Sequence, residues 1–197
     1  YQYDYENKIE SIDVDDLIAV DTDGTSSNIE RNSSGQIVSI TSGYTNYAQV
    51  TTSGLDFTAN YNLPTSFGDF GVNLEYSHVF SYEEEGIEWA GELSYPDNRG
   101  NITLDWNDGD KWTASWRTLF IGSQSNDYYT SDEFAENYFK HNVTVSYQVN
   151  DSMKVTAGIN NLTDELVEEN PGEWRGYDDA LYDPLGRTLN FKVQASF

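Results

Sequence analysis

The stretch Arg187–Phe197, RTLNFKVQASF, decides the fold. Leu189, Phe191, Val193, Ala195 and Phe197 fall on one side, and Thr188, Asn190, Lys192, Gln194 and Ser196 on the other. Successive side chains of a strand point to opposite faces, so this segment is apolar on one face and polar on the other. Termini of soluble domains are usually polar and frayed. A strand that ends on an aromatic instead suggests one built for a lipid wall.

The same period of two recurs upstream. Met153, Val155, Ala157 and Ile159 alternate with polar neighbours, as do His141, Val143, Val145, Tyr147 and Val149. Trp112 to Phe120, Ile102 to Trp106, Phe70 to Tyr76, Leu55 to Leu63 and Tyr1 to Tyr5 repeat the pattern. These segments predict about eight strands of roughly ten residues, the length that crosses a bilayer when tilted. The 15 Tyr, 9 Phe and 5 Trp beside 4 Pro agree, because aromatic side chains suit a pleated surface.

The connections alternate too. Short turns are expected at Pro64 to Gly68, Asn107 to Asp110 and Asn150 to Ser152, where Asn, Asp, Gly and Pro supply turn geometry. Long acidic connections lie at about Glu10 to Tyr44, Glu83 to Asn98, Ser123 to Asn137 and Thr163 to Gly186. Short turns on one side and long loops on the other are the layout of an outer-membrane barrel. Periodicity alone leaves a soluble β-sandwich equally open, since alternation does not tell lipid from a second sheet.

The formal charge of −24 argues against nucleic acid and against an anionic cytoplasmic membrane face, both of which need clustered cations. With no Cys there is neither a disulfide nor a thiolate site, and nothing approaches about 18 consecutive apolar residues, so no membrane helix is predicted. A start at Tyr1-Gln2-Tyr3, without Met or a basic leader, is the pattern expected of a chain that is mature or cut from something larger.

Several longer elements carry a family resemblance. GINNLTDE (Gly158–Glu165), an acidic loop, then Tyr182 to Arg187 and the terminal strand to Phe197 resemble the C-terminal signature of TonB-dependent outer-membrane receptors. SGLDFTANYNLP (Ser53–Pro64), PDNRGNITLDW (Pro96–Trp106) and WTASWRTLFIG (Trp112–Gly122) are similar to other strands of that family. The resemblance implies a barrel of about 22 strands around an N-terminal plug that carries a TonB box. It implies residence in the Gram-negative outer membrane and uptake of a scarce nutrient.

On this reading residues 1–197 are the C-terminal part of the barrel, an all-β, antiparallel, up-and-down transmembrane segment of about eight strands with the plug absent. The resemblance implies four partners: the TonB complex through that plug, outer-membrane lipid and lipopolysaccharide, the barrel assembly machinery, and a small-molecule or oligosaccharide ligand. A small self-closed eight-stranded barrel and a soluble carbohydrate-binding β-sandwich stay open beside it.

Phe197, with Phe191 and Leu189 behind it, resembles the family's C-terminal assembly signal. Among the loop aromatics Trp89, Tyr95, Tyr128, Tyr129, Trp174, Tyr177 and Tyr182, the expected role is an interfacial girdle, with Trp89 and Trp174 as candidate ligand contacts. Asp21, Asp23, Gly24 and Glu30 match part of a calcium loop, but Ala19 holds the first ligand place and a solvated loop is expected. Arg187 and Lys192 are cations in a very acidic chain, and an inward Lys192 is expected to sit in an ion-pair network with carboxylates such as Glu75, Asp105 or Asp56. His78 and His141 fall in apolar registers of separate strands, unsuited to a metal pair or a general base. No catalytic residue, metal site or cofactor is expected, and the chain reads as a non-enzyme.

Overall fold

The computed structural model describes residues 1–125, 135–167, 169 and 175–196, with only the backbone for Glu10, Thr45, Tyr47 and Ala48. Its elements are β1 (Gln2–Ser11), α1 (Val14–Val20), β2 (Ile29–Arg31), β3 (Ile37–Ile40), β4 (Tyr44–Thr65), β5 (Gly68–Glu84), β6 (Ile87–Glu88), β7 (Asn98–Asn107), β8 (Trp112–Ile121), β9 (Tyr138–Asn150), β10 (Met153–Asn160) and β11 (Thr188–Ala195). The chain divides into two compact units. The larger comprises Tyr1, Ser53–Tyr82 and Trp89–Phe197, and the smaller Gln2–Thr52 and Glu83–Glu88.

In the larger unit the strands stand side by side in chain order, β4, β5, β7, β8, β9, β10 and β11, an up-and-down sheet. Registers from β5 onward place apolar residues in continuous rows. One row runs Phe70, Trp106, Ala114, Val145, Ala157, Phe191, and its neighbour Val72, Leu104, Trp116, Val143, Ile159, Leu189. The opposite face carries rows such as Asn73, Thr103, Arg117, Asn142. There Asn73 donates to Asn60 at 2.7 Å, Asn101 to Glu75 at 2.7 Å, and Ser146 and Thr156 share a bond at 2.9 Å.

The apolar rows are uncovered. Leu189 is 77% exposed, Phe191 70% and Trp116 48%. A sandwich would bury these side chains against a second sheet. The only buried apolar cluster described in this unit lies on the polar face, at its long-loop end. Lys192 stands opposite Thr156, in a row with Ser146 and Thr113, and Glu75 is taken by Asn101. Among the described residues no ion pair joins Lys192 to Glu75, Asp105 or Asp56, because the register sets threonine and serine beside it. Arg187 does meet an acid, Asp164, at 3.9 Å, though at the base of a loop.

The short turns form where expected. Gly68, at φ 116°, passes so close to the next turn that a Cβ would sit 2.2 Å from the Asn107 carbonyl. Asp108 accepts from the amides of Asp110, Lys111 and Trp112, each at 2.9 Å, and these bonds hold its carboxyl below the usual range. Two strands are longer than the roughly ten residues expected: β4 has 22 and β5 has 17. About 9–11 suffice to cross a bilayer, so ladder hydrogen bonds carry both strands beyond the apolar alternation that was counted.

The smaller unit corrects the expectation of a solvated loop after β1. Asp13 caps α1 by accepting from Asp15 N at 2.7 Å, Leu17 is buried, and β2 and β3 form a hairpin turned by Asn32 and Gly35. Asp21 is buried, not solvated. Its carboxylate accepts from Ser26 N at 2.8 Å and from Arg31 Nη2 at 2.9 Å, while Asp23 serves Thr25 at 3.1 and 2.7 Å. A guanidinium thus stands where the calcium reading wanted an ion.

The Arg31 bond, then the Ser26 bond, lower the Asp21 pKa. A carboxyl lowered in the folded state contributes stability above its unfolded value, about 3.9, that is lost as pH falls through the folded value. Proteolysis within 21–31 is therefore expected to accelerate only on acidification below about pH 4. Arg31→Ala should bring that susceptibility to neutral pH; equal cleavage of variant and parent at pH 7 would contradict the assignment.

Candidate functional site at the long-loop end

The long connections of the larger unit meet at the polar face where β8 ends and β9 begins. Ile121 and Tyr138 are opposed across that pair, and both point to the polar side. Tyr182, arriving from the last connection, lies edge-on to Tyr138 with centroids 5.1 Å apart, and Leu119, Val167, Tyr177 and Leu181 pack around them. Ile121 is fully buried and Tyr138 is 2% exposed. Tyr182 and Tyr177 are thus packing residues of a folded loop, not members of an interfacial girdle. Among the described residues the Tyr138 hydroxyl has no hydrogen-bond partner.

Gln124 sits over this cluster, 3% exposed. Its side-chain oxygen accepts from Ser94 N at 2.8 Å and its nitrogen donates to the Tyr182 hydroxyl at 2.8 Å. Its backbone exchanges two bonds of 2.9 Å with Ala135. The connection after β5 joins in through Leu93 N to Ser125 O at 2.8 Å and Ser125 N to Gly91 O at 2.9 Å. Trp89 belongs to this region as well. It is half-buried, 5.4 Å from Tyr95, whose ring stacks on Tyr82 at 5.6 Å.

The signature after β10 is a clasp at the base of the last connection. Asn161, fully buried at φ 54°, donates to Glu165 O and accepts from Glu165 N, both at 2.8 Å, while its own amide donates to Asn142 Oδ1 at 2.9 Å. Asp164 accepts from Arg187 N at 2.6 Å. A Cβ on Gly186 would lie 2.8 Å from the same carboxylate oxygen, so the glycine lets the two ends of the connection close. Alongside, Lys140 pairs with Asp183 at 2.7 Å and, with Leu185 N, holds that carboxyl below the usual range.

Of the loop aromatics singled out from sequence, Trp89, Tyr95, Tyr177 and Tyr182 lie in this region with their side chains described. Trp174, Tyr128, Tyr129 and Phe197 lie outside the described residues. Phe191 and Leu189 stand on the exposed apolar face of β11. His78 bonds Asn98 at 2.9 Å and lies edge-on to Phe80, whereas His141 bonds Thr118 at 2.8 Å, so each serves its own strand pair. Among the described residues no cluster of His, Asp and Glu is placed to hold a metal ion. Gln124, Asn161 and Tyr138 were not anticipated as site residues; for Asn161 the motif GINNLTDE was the available signal. At the opposite, short-turn end, the polar face forms an open groove of about 690 Å³ lined by Asp69, Asp105, Thr113, Ser115, Thr144 and Ser146 among others.

An uncovered apolar face on an up-and-down antiparallel sheet, with tight turns at one end and long connections at the other, defines a membrane β-barrel wall. The family model described as TonB dependent receptor-like, beta-barrel, matches residues 11–162, and the chain belongs to that family. Its membrane is the Gram-negative outer membrane. Among solved structures it is similar to two variants of the ferric enterobactin receptor PfeA from Pseudomonas aeruginosa, each 20% identical with a TM-score of 0.65, covering 100% of this chain and 28% of the other. It is also similar to the ferric-catecholate import receptor Fiu from E. coli K12 in its closed form, 17% identical with a TM-score of 0.58, covering 100% of this chain and 24% of the other. The chain thus spans about a quarter of those receptors, and at such identity the likeness is one of fold. Among curated proteins no sequence matches.

Removing the Asn161 carboxamide leaves the Glu165 N–H and C=O without partners in a part-buried turn, a loss of about 1–3 kcal/mol. Asn161→Ala and Asn161→Gly are both expected to lower the denaturation midpoint of the detergent-solubilised protein. The glycine variant should fall less, since it tolerates the positive φ. Midpoints equal to the parent's in both would show that the clasp does not hold the loop.

Proposed function

We propose that this chain is the C-terminal part of the barrel of a TonB-dependent receptor, and that the complete receptor carries a scarce nutrient across the outer membrane. The observation that carries this reading is the uncovered apolar face of the up-and-down sheet of the larger unit, with tight turns at one end and that unit's long connections at the other. Among the described residues β11 has a neighbour on one side only. That favours a segment of a wider barrel over a self-closed barrel of eight strands. In this reading the ligand meets the long connections, with Trp89 and Trp174 as contacts, and the plug occupies the polar interior, where the groove at the short-turn end gives it hydroxyls and carboxylates to bond.

Energy comes from the TonB complex acting through the plug, and no chemistry is performed on the ligand. Phe197, with Phe191 and Leu189, serves the barrel assembly machinery, while the acidic connections face lipopolysaccharide. Ferric catecholate and ferric enterobactin belong to the similar receptors, Fiu and PfeA. For this one we propose only the class, a nutrient too large or too scarce for passive pores.

The test is depletion of nutrients from defined medium, followed by mass spectrometry, in cells with the full-length receptor, without it, and with it in a background lacking TonB. At least one compound should be depleted in the first strain alone. Identical depletion in all three would contradict transport. In the same cells, Phe197→Ser should lower the receptor recovered in the outer membrane, and undiminished recovery would remove the assembly signal.

A further inference from the structure

We propose that the connections carrying Trp89–Tyr95, Ser123–Ser125 and Tyr177–Tyr182 open and close as one body, and that Gln124 is the residue that couples them. The inference does not depend on what the receptor carries. It rests on how a single buried carboxamide is satisfied. Gln124 spends its oxygen on the Ser94 amide and its nitrogen on the Tyr182 hydroxyl, partners 30 and 58 residues away in sequence on two different connections. Its orientation is fixed, because the oxygen must face the N–H while the nitrogen faces the phenol.

The main chain reinforces the link. Ser125 bonds Leu93 and Gly91 in a short parallel bridge, and Gln124 bonds Ala135 on its own connection. Tyr182 is held in turn by the ring of Tyr138 at the start of β9, so the assembly has a footing on the sheet. If one connection swung away alone, it would leave a group of the buried Gln124 carboxamide without its partner. That penalty is avoided only when the connections part together and water reaches all of them. Independent opening is therefore disfavoured, and concerted opening is the lowest path.

Hydrogen exchange of the full-length receptor in detergent, read by mass spectrometry, tests this without any ligand. Tyr182→Phe removes one hydroxyl and keeps the ring in its packing. It is expected to speed exchange not only in 177–182 but also in 89–95 and 123–125, by about 3- to 10-fold, the effect of one such bond. Gln124→Leu, which removes both bonds, should give the same pattern with a larger change. Acceleration confined to 177–182, or none in any of the three segments, would overturn the coupling.

Discussion

Everything in this molecule follows from the need to satisfy backbone N–H and C=O groups inside hydrocarbon, where no water is available. A ladder between antiparallel strands does this without any contribution from side chains, which leaves one face free to be apolar and to meet lipid. The rows from Phe70 to Phe191 and from Val72 to Leu189 are that face. Because the side-chain period is two, the same strands present polar residues on the other side, where Asn73 bonds Asn60, Asn101 bonds Glu75, and Ser146 and Thr156 bond each other. One constraint therefore yields both surfaces.

The two ends of the sheet solve different problems. At the short-turn end, tight geometry is paid for by few residues: Gly68 at its close approach and Asp108 beneath three amides. At the other end the connections must hold a shape without a conventional core. They do so with a small apolar cluster on Ile121 and Tyr138, a buried glutamine and a clasp of Asn161, Asp164 and Gly186. The strong negative charge is partly organised as well, since Arg31, Lys140 and Lys8 each pair with a carboxylate of the connections or strand ends.

The strands and turns were legible because lipid and water impose a periodic pattern on sequence, and Arg187–Phe197 displays it with the polar and apolar sides cleanly separated. The family was legible in GINNLTDE, whose physical reason appears only in the structure: Asn161 at positive φ closes a turn that other side chains close poorly. The interior of the long connections was not legible. Nothing in the residues around Asp21 tells that Arg31, ten positions on, folds back to bind it. Gln124 is likewise silent, because its partners lie 30 and 58 residues away and carry no pattern. The ends of β4 were missed for a related reason, since strand pairing continues where apolar alternation stops.

The central claim is that Leu189, Phe191 and Val193 face hydrocarbon. Spin labels placed singly at positions 188 to 195 of the full-length receptor in lipid bilayers, with accessibility to oxygen and to a polar nickel chelate measured at each, test it most directly. The account predicts a period of two, with oxygen access high at 189, 191 and 193 and low at 190 and 192. Low oxygen access at 189, 191 and 193, or a profile without that period, would mean that this face is packed against protein, and the barrel-wall account would be wrong.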